Sequence, residues 1–305
     1  MHRRGAIYPA TVVGKPRQED YYIGEWLQRL LRPLFPLVMP AVRDLWSYGE
    51  TGFHSLAAAV VRERYGREAM MAAFRILGEG QLSLTKFLLA TDAPMELSDF
   101  RRVLEHVLAR FRPETDLYVF SNLSMDTLDY TGPEVNKGSK GVMLGLGQPV
   151  RELPGEWRGA PSDSLIGGAT DVRPFCRGCL VVGAPSYETD AGWAERLAKD
   201  PAIRDWPLVV ACDRPAMSTA SVTNFLWTTF TRFEPAADLH AASMEVVRKH
   251  LVYRGPIVID ARVKPWYPKE LFCAPEVAAL VGRRWKEYFP AGGVEMGDSD
   301  RGHLV

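Results

Sequence analysis

Lysine side chains stand at three positions where an ammonium group could bind an anion, and the first of them is Lys86. It precedes a short apolar run, residues 87–90, which ends in the turn signal Thr91-Asp92-Ala93-Pro94. An apolar run of this length between turn signals predicts a strand that is buried on both faces. Because an unpaired buried ammonium costs several kcal/mol, Lys86 must either reach solvent along its stem or meet an anion. That anion is a phosphate or a carboxylate such as Asp92 or Asp126.

The other two lysines, Lys137 and Lys140, lie in the segment Lys137-Gly138-Ser139-Lys140-Gly141. Its glycines would let backbone amides approach an anion closely, although lysines that are simply solvated are the commoner arrangement in loops. The segment closes a stretch from Ser121 to Lys140 that carries Gly, Asn, Asp and Ser, and this stretch is predicted to be one long loop. Loops of that length in compact domains are usually functional or disordered.

No complete catalytic constellation accompanies these lysines. The segment Cys176-Arg177-Gly178-Cys179 lacks the second cysteine pair of a structural zinc site. Gly145-Leu146-Gly147 lacks the third glycine and the following helix of a dinucleotide fingerprint. The sequence contains no HExxH, Walker A or GxSxG segment. We therefore predict no metal site and no nucleophilic triad, and we expect four scattered histidines to be structural or surface residues: His54, His106, His240 and His250.

Composition narrows the class of partner. The chain has 305 residues, and its 37 basic and 37 acidic side chains cancel, so no general attraction to nucleic acid or to a membrane surface is expected. No window approaches the roughly 18 apolar residues of a spanning helix, and residues 1–5 are basic but lack the apolar region of a signal peptide. Four cysteines in a chain of this size do not indicate a disulfide scaffold. We expect a cytoplasmic protein without nucleic acid or membrane partners.

The elements that would position the lysines follow from apolar periodicity. Residues 54–64 are ambiguous, since their alanines favour a helix while their apolar run would suit a buried strand. Residues 44–52 are predicted to be irregular. A linker helix opens at Glu19 and Asp20 and carries an apolar stripe at helical spacing: Trp26, Leu27, Leu30 and Leu31. Further helices are predicted at about 67–77, 100–111 and 275–288, and strands at 8–13, 87–90, 116–120 and 141–146.

The second half of the chain repeats a pattern of the first half. Residues 208–215 match residues 87–94 in pattern, and residues 232–239 match residues 110–117 at five of eight positions. The spacing between the two matching segments is also similar in each half. Asp92 and Arg110 are 18 residues apart, and Asp213 and Arg232 are 19 residues apart. Chance matching of short segments is one explanation. The simpler one is a strand–helix–strand–strand unit used twice, which predicts an α/β class with both sheet faces covered.

These patterns divide the chain into five parts. Residues 1–47 hold a terminal strand and the linker helix, residues 48–150 form an α/β domain, and residues 151–173, rich in Gly, Pro, Ser and Asp, form a linker. Residues 174–290 form a second, smaller α/β module that resembles the first. Residues 291–305 are expected to be a disordered tail.

The stretch from Tyr8 to about Gly147 resembles the C-terminal half of the UbiD family of prenylated-FMN-dependent decarboxylases. Residues 179–290 look like the extra C-terminal module of the longer members. The order and spacing of several short segments carry the resemblance: Thr11-Val12-Val13-Gly14-Lys15-Pro16 with Glu19-Asp20, Leu34-Phe35-Pro36, Leu84-Thr85-Lys86-Phe87 with Thr91-Asp92, Arg112-Pro113-Glu114-Thr115-Asp116, Met125-Asp126-Thr127-Leu128-Asp129-Tyr130, and Gly138-Ser139-Lys140-Gly141.

The resemblance implies an activity and roles for the candidate residues. Full-length members remove or add carboxylate on aromatic or α,β-unsaturated acids, and the prenylated flavin acts as the electron sink. By resemblance, Lys86 contacts the cofactor phosphate. The stretch from Ser124 to Lys140, with Asp126, Lys137 and Lys140, approaches the substrate side of the cleft. Residues 54–64 resemble a family strand, so we expect a strand there.

One departure from the family limits what this chain is expected to do. The family's Glu–Arg–Glu proton-transfer network and the ligands of the cofactor's metal precede the Thr-Val-Val-Gly-Lys-Pro segment, and no residue here matches them. We therefore assign no catalytic and no metal-binding residue. Prenylated FMN, a divalent metal and a candidate K⁺ would be bound by an N-terminal half or subunit, whose barrel would also pair with the strand at residues 8–13.

Two functions follow as expectations. The first is the C-terminal half of a UbiD-like carboxy-lyase, inactive alone and active with an N-terminal flavin-binding half. The alternative is a non-catalytic module for dimerisation or assembly. In either case we expect a homo-oligomer, in which the apolar stripe on the linker helix packs against the partner half or against another protomer.

Overall fold

A computed structural model of the chain describes residues 21–158, 168–268 and 274–292. The strand predicted at residues 8–13 and the tail from residue 293 onward lie outside the described residues, as do residues 159–167 of the predicted linker. The linker helix is a series of short helical pieces, namely a π-helix over Tyr21–Trp26, α1 over Leu27–Leu31, a 3₁₀ turn over Arg32–Leu34 and α2 over Phe35–Val38.

The first sheet contains five strands, namely β1 (Val42–Ser47), β2 (Leu56–Val61), β3 (Phe87–Thr91), β4 (Leu117–Ser124) and β5 (Lys137–Gly145). Their order is β1-β2-β3-β5-β4, in which β2, β3 and β5 are parallel while β1 and β4 pair antiparallel at the edges. All residues of β2 and β3 are buried, as expected for central strands covered on both faces. The strand expected within residues 54–64 is confirmed.

Helices connect and cover these strands. Helix α3 (Glu68–Gly78) leads to β3, and α4 (Phe100–Arg110) begins at Asp99, whose side chain accepts a hydrogen bond from the Arg102 amide. Helix α4 ends three residues before Pro113, which opens a one-turn helix, α5 (Pro113–Asp116), before β4. Proline suits that place, because the first amide of a helix has no intrahelical acceptor.

The second sheet has the strand order and strand directions of the first. Its strands are β6 (Val172–Cys176), β7 (Cys179–Gly183), β8 (Leu208–Cys212), β9 (Leu239–His240) and β12 (Ile257–Asp260), in the order β6-β7-β8-β12-β9. Strands β7, β8 and β12 are parallel, while β6 and β9 are antiparallel edges. A hairpin of β10 (Ser243–Val247) and β11 (His250–Arg254) is inserted before β12. The second α/β module is therefore present as predicted, but its first strand begins at Val172, inside the linker predicted at residues 151–173.

The helices of the second unit complete the correspondence: α6 (Trp193–Leu197), α7 (Pro215–Ser218), α8 (Val222–Phe230) and α9 (Pro235–Asp238). The aspartate shared by the repeated segments, Asp116 in the first and Asp238 in the second, makes the same local hydrogen bond in both units. Asp116 accepts a hydrogen bond from the Arg112 amide at 2.9 Å, and Asp238 accepts one from the Glu234 amide at 2.7 Å. Each carboxylate thus caps a one-turn helix. Helix α10 (Pro275–Tyr288) follows the second sheet, as predicted.

The two sheets share one aromatic core. The ring of Phe100 on α4 lies 5.9 Å from that of Phe225 and 6.0 Å from that of Phe230, both on α8, and 6.1 Å from that of Phe175 on β6. Helix α3 covers the other face of the first sheet, and α6 covers the other face of the second. The layers are therefore helix, sheet, paired helices, sheet and helix. No helix in the described ranges is long and apolar enough to span a membrane.

Two predictions of loop structure are wrong. Residues 44–47 belong to β1, where Leu45 pairs with Ala59 and Trp46 with Ala58, so the first sheet begins before the boundary predicted at residue 48. The loop predicted from Ser121 to Lys140 is shorter, because β4 runs to Ser124 and β5 starts at Lys137. Residues 44–47 lie in an edge strand that mixes polar and apolar side chains, and residues 121–124 and 137–140 are mostly polar strand ends. Such segments lack a clear strand pattern, and only their pairing with a neighbouring strand reveals them.

The packing of α4 on β5 gives a test of the fold. A Cβ atom added at Gly145 would lie 2.5 Å from the Cα of Val107 on α4, so Gly145→Ala must push the helix away from the sheet. We expect urea denaturation to show a loss of about 1–3 kcal/mol in the free energy of unfolding. In the control Gly78→Ala the new Cβ would meet nothing within 4 Å, and stability should rise by up to about 1 kcal/mol. Equal effects of the two substitutions would contradict this packing.

Candidate functional site

Charged side chains gather where the parallel strands of the first sheet begin. Lys86 immediately precedes β3, His54 lies two residues before β2, and Lys140 lies in β5 next to Gly141, which pairs with Phe87. Backbone hydrogen bonds fix this arrangement, since the Lys86 amide donates to the His54 carbonyl at 2.8 Å and the Gly141 amide donates to the Lys86 carbonyl at 2.9 Å. We call His54, Lys86, Asp126, Asp129 and Lys140 the strand-entry cluster.

Lys86 is completely buried and has a carboxylate partner. Its Nζ lies 2.8 Å from Oδ2 of Asp129 and donates to the hydroxyl of Thr131 at 3.3 Å. The other oxygen of Asp129 accepts a hydrogen bond from the Thr131 amide at 2.9 Å. Of the two partners that the sequence left open, the carboxylate is therefore present, but it comes from neither Asp92 nor Asp126. Asp92 instead accepts from the Gly147 amide beyond the opposite end of β3.

Lys140 is nearly as deeply buried but has weaker partners. Its Nζ donates to the backbone carbonyls of Ser83 at 2.6 Å and of Thr85 at 2.9 Å. Burial lowers the pKa of Lys140 to about 8, and the charges of Asp129 and Asp126 only partly oppose this shift. Among the residues that the structure describes, no carboxylate lies within ion-pair distance of this ammonium. Lys140 is thus a buried cation held by neutral acceptors.

Asp126 and His54 form the third part of the cluster. The His54 Nδ1 is hydrogen-bonded to Oδ2 of Asp126, and the Leu128 amide donates to Oδ1 at 3.0 Å. The hydrogen bond with His54 lowers the pKa of Asp126. His54 is half-buried, and sequence reasoning missed it. His54 could have been identified from its position, because it comes just before an apolar run, as Lys86 does.

The structure brings Lys86, Asp126 and Lys140 together and leaves Lys137 outside. Lys137 begins β5 with its side chain 56% exposed, and its Nζ lies 2.6 Å from Oε2 of Glu134. Lys137 and Lys140 therefore lie on a strand, whereas the sequence placed both in a loop. Within this chain Lys137 is therefore an exposed lysine at the surface, which is the commoner arrangement named above. Asp126 does lie in the remaining loop, residues 125–136.

The fold itself does not require charges at the strand entries. In the first sheet Phe87 pairs with Gly141, and in the second sheet Leu208 pairs with Ile257. The residues that precede these pairs are Lys86 and Lys140 in the first sheet and prolines, Pro207 and Pro256, in the second. Burying ammonium groups is costly, and the second sheet forms the same topology with prolines at these two places.

The cluster has part of the chemistry that a phosphate-bearing cofactor needs. Ammonium groups and hydroxyls are good donors to phosphate oxygens, and Lys140 is a cation without a carboxylate of its own in the described ranges. Lys86 fits less directly, because Asp129 already balances its charge. A phosphate on Lys86 would have to replace the ion pair with Asp129.

Comparisons with known proteins agree on one family. Residues 21–145 match the model of the 3-octaprenyl-4-hydroxybenzoate carboxy-lyase C-terminal domain, UbiD_C. Over 289 residues the chain is 52% identical to a 4-hydroxybenzoate decarboxylase subunit of Chlamydia pneumoniae, covering 95% of this chain and 48% of that protein. An uncharacterized protein of Chlamydia trachomatis is 50% identical over 289 residues, with 95% and 49% covered. The chain thus spans about half the length of the curated relatives it matches.

A solved structure is also similar. The UbiD-class enzyme HmfF from Pelotomaculum thermopropionicum in complex with FMN matches with 19% identity and a TM-score of 0.35. The match covers 46% of this chain and 31% of that one.

The buried ion pair gives a stability prediction. Asp129→Asn keeps the shape of the side chain but leaves the Lys86 ammonium buried without its counter-charge, so the free energy of unfolding should fall by about 3–5 kcal/mol. In the control Glu134→Gln the lost partner is the exposed Lys137, and the fall should be less than about 1 kcal/mol.

Urea denaturation of both variants and of the double variant Lys86→Met/Asp129→Leu would check this. The double variant should regain most of the loss, because it removes both charges. A small effect of Asp129→Asn would show that the Lys86 ammonium is not enclosed as described.

Proposed function

Because the chain belongs to the UbiD carboxy-lyase family, we propose that it forms the C-terminal portion of a decarboxylase for an aromatic or α,β-unsaturated carboxylic acid. The observation that carries this proposal is the 52% identity, over 95% of the chain, with half of a Chlamydia pneumoniae protein named as a 4-hydroxybenzoate decarboxylase subunit. A match of that extent necessarily includes both α/β units. The second unit is therefore part of what the relatives share with this chain.

The proposed cofactor is prenylated FMN, which would supply the electron sink for the carbanion left by CO₂. In this proposal Lys86 contacts the cofactor phosphate, and Lys140 adds a second positive charge at the same strand entries. Asp126, held by His54, lies in the loop that would approach the substrate. This chain's residues bind and orient, and we assign none of them a proton-transfer role.

The proton-transfer groups and the metal ligands would come from an N-terminal flavin-binding half or subunit. The apolar stripe of the linker helix supports a partner, because its side chains are exposed in the single chain: Trp26 51%, Leu27 46%, Leu30 70% and Leu31 38%. Exposed apolar side chains at helical spacing are typical of a surface that another chain covers. A homo-oligomer in the cytoplasm is part of the same proposal.

The same stripe favours one alternative, a non-catalytic module for dimerisation or assembly. An assembly module needs the apolar stripe but has no use for two buried lysines at the strand entries. The cluster therefore favours the enzyme portion over the alternative.

Reconstitution tests the proposed function. The chain is purified alone and mixed with the N-terminal half of the Chlamydia pneumoniae relative, prenylated FMN is added, and CO₂ release from 4-hydroxybenzoate and related acids is measured with the flavin absorbance. We expect flavin binding and CO₂ release in the mixture only. No flavin binding and no CO₂ release in the mixture would refute the proposal, and turnover by the chain alone would show that it does contain the catalytic acids.

The role of Lys86 has its own test in the reconstituted complex. Lys86→Met should weaken retention of prenylated FMN by roughly tenfold or more, as expected for the loss of a hydrogen bond to a charged group, whereas the exposed Lys137→Met should not change it. Because Lys86→Met leaves Asp129 without a counter-charge, the double variant Lys86→Met/Asp129→Leu serves as a folding control and should retain the cofactor equally poorly. Equal retention by all variants would make Lys86 a structural lysine.

A further inference from the structure

We propose that the second α/β unit completes the strand-entry cluster, and that Phe233 and Tyr267 are its positioning residues. Residues that follow α8 in the second unit contact Lys86 itself and the chain neighbours of Lys140 and Asp129. That Phe233 and Tyr267 position the cluster is argued from these contacts alone. The expected effect of their substitution on cofactor retention rests on the proposed function.

The first contact is made to Lys86. The Nζ of Lys86 lies 5.5 Å from the centre of the Phe233 ring, and the same ring packs edge-on against Phe87 at 5.6 Å. Phe233 is completely buried. A cation over an aromatic face is attracted to it, and the attraction grows where water is excluded. Phe233 thus restricts the ammonium on one side while Asp129 holds it on another.

The second contact is made to β5, next to Lys140. The buried hydroxyl of Ser139 accepts a hydrogen bond at 2.8 Å from the amide of Ala236. Ala236 lies in the first turn of α9, where amides have no acceptor within their own helix. This hydrogen bond therefore fixes the position of the strand residue adjacent to Lys140.

The third contact is made to the loop that carries Asp129. The ring of Tyr130 meets that of Tyr267 edge-on, with centroids 5.0 Å apart. Tyr130 lies between Asp129 and Thr131, the two residues that hold the Lys86 ammonium. By contacting Tyr130, Tyr267 limits the movement of the loop that supplies the counter-charge.

The positioning residues are themselves firmly held. The hydroxyl of Tyr267 donates to the Arg232 carbonyl at 2.9 Å, and the buried Lys264 ammonium donates to the same carbonyl at 3.2 Å. Lys264 also pairs with Asp238 at 3.1 Å. Burial raises the pKa of Asp238 to about 6. A buried ion pair and two hydrogen bonds to one carbonyl thus fix the segment around Phe233.

The repeat provides a matched control. Phe111 occupies the place of Phe233 in the repeated segment and is also completely buried. No ring or cation contact joins Phe111 to the strand-entry cluster among the described residues. Phe111→Leu and Phe233→Leu therefore remove the same atoms from equivalent places, and only the second removes a contact with Lys86.

Amide hydrogen exchange of residues 125–136, measured on the whole chain without cofactor, tests the positioning. Phe233→Leu and Tyr267→Ala should raise exchange in this loop by about tenfold or more, because exchange by local opening reports the contacts that hold a loop closed. Tyr267→Phe keeps the ring that meets Tyr130 and should restore slow exchange. Phe111→Leu should leave the loop unchanged even if it lowers global stability.

Unchanged exchange in Phe233→Leu and Tyr267→Ala, or an equal rise in Phe111→Leu, would overturn the positioning. In the reconstituted complex, Phe233→Leu should weaken binding of prenylated FMN by about tenfold, and Phe111→Leu should not. If no variant and no wild-type complex binds the flavin, the proposed function fails while the exchange result stands. If the flavin binds equally to all variants, the consequence for the cofactor is overturned.

Discussion

The enclosed ammonium group of Lys86 is the constraint on which the candidate site depends. A lysine at this depth needs a counter-charge, and Asp129 supplies it from a loop that lies far along the chain. The ion pair ties the loop of residues 125–136 to the entry of β3. Asp126 lies on the same loop, whereas the backbone pairing of β5 with β3 places Lys140 beside Lys86.

The duplicated fold explains where this cluster can exist. Both units have the same strand order and the same capped turn before an edge strand, yet only the first carries lysines at the strand entries. The shared aromatic core packs the units together so that Phe233 of the second lies against Lys86 of the first. The second unit thus contacts the candidate site of the first.

The sequence predicted the fold better than the site. The strands around Phe87 and Leu208 and the helix from Phe100 were predictable, because apolar runs and helical spacing are local signals. The pairing of Lys86 with Asp129 was not, since nothing local indicates how a loop of twelve residues folds back. Lys137 and Lys140 looked like loop residues, because a glycine-bearing polar segment becomes a strand only when β4 lies beside it.

By itself, the sequence determined the α/β class, the repeat and the identity of Lys86 as a charge at the entry of a buried strand. These follow from residue types and their spacing over short intervals. Only the tertiary structure decided which carboxylate neutralises Lys86, that His54 joins Asp126, and that the second unit contacts the cluster. Those facts depend on distances between residues remote in the chain, which the packing of two sheets on one core fixes.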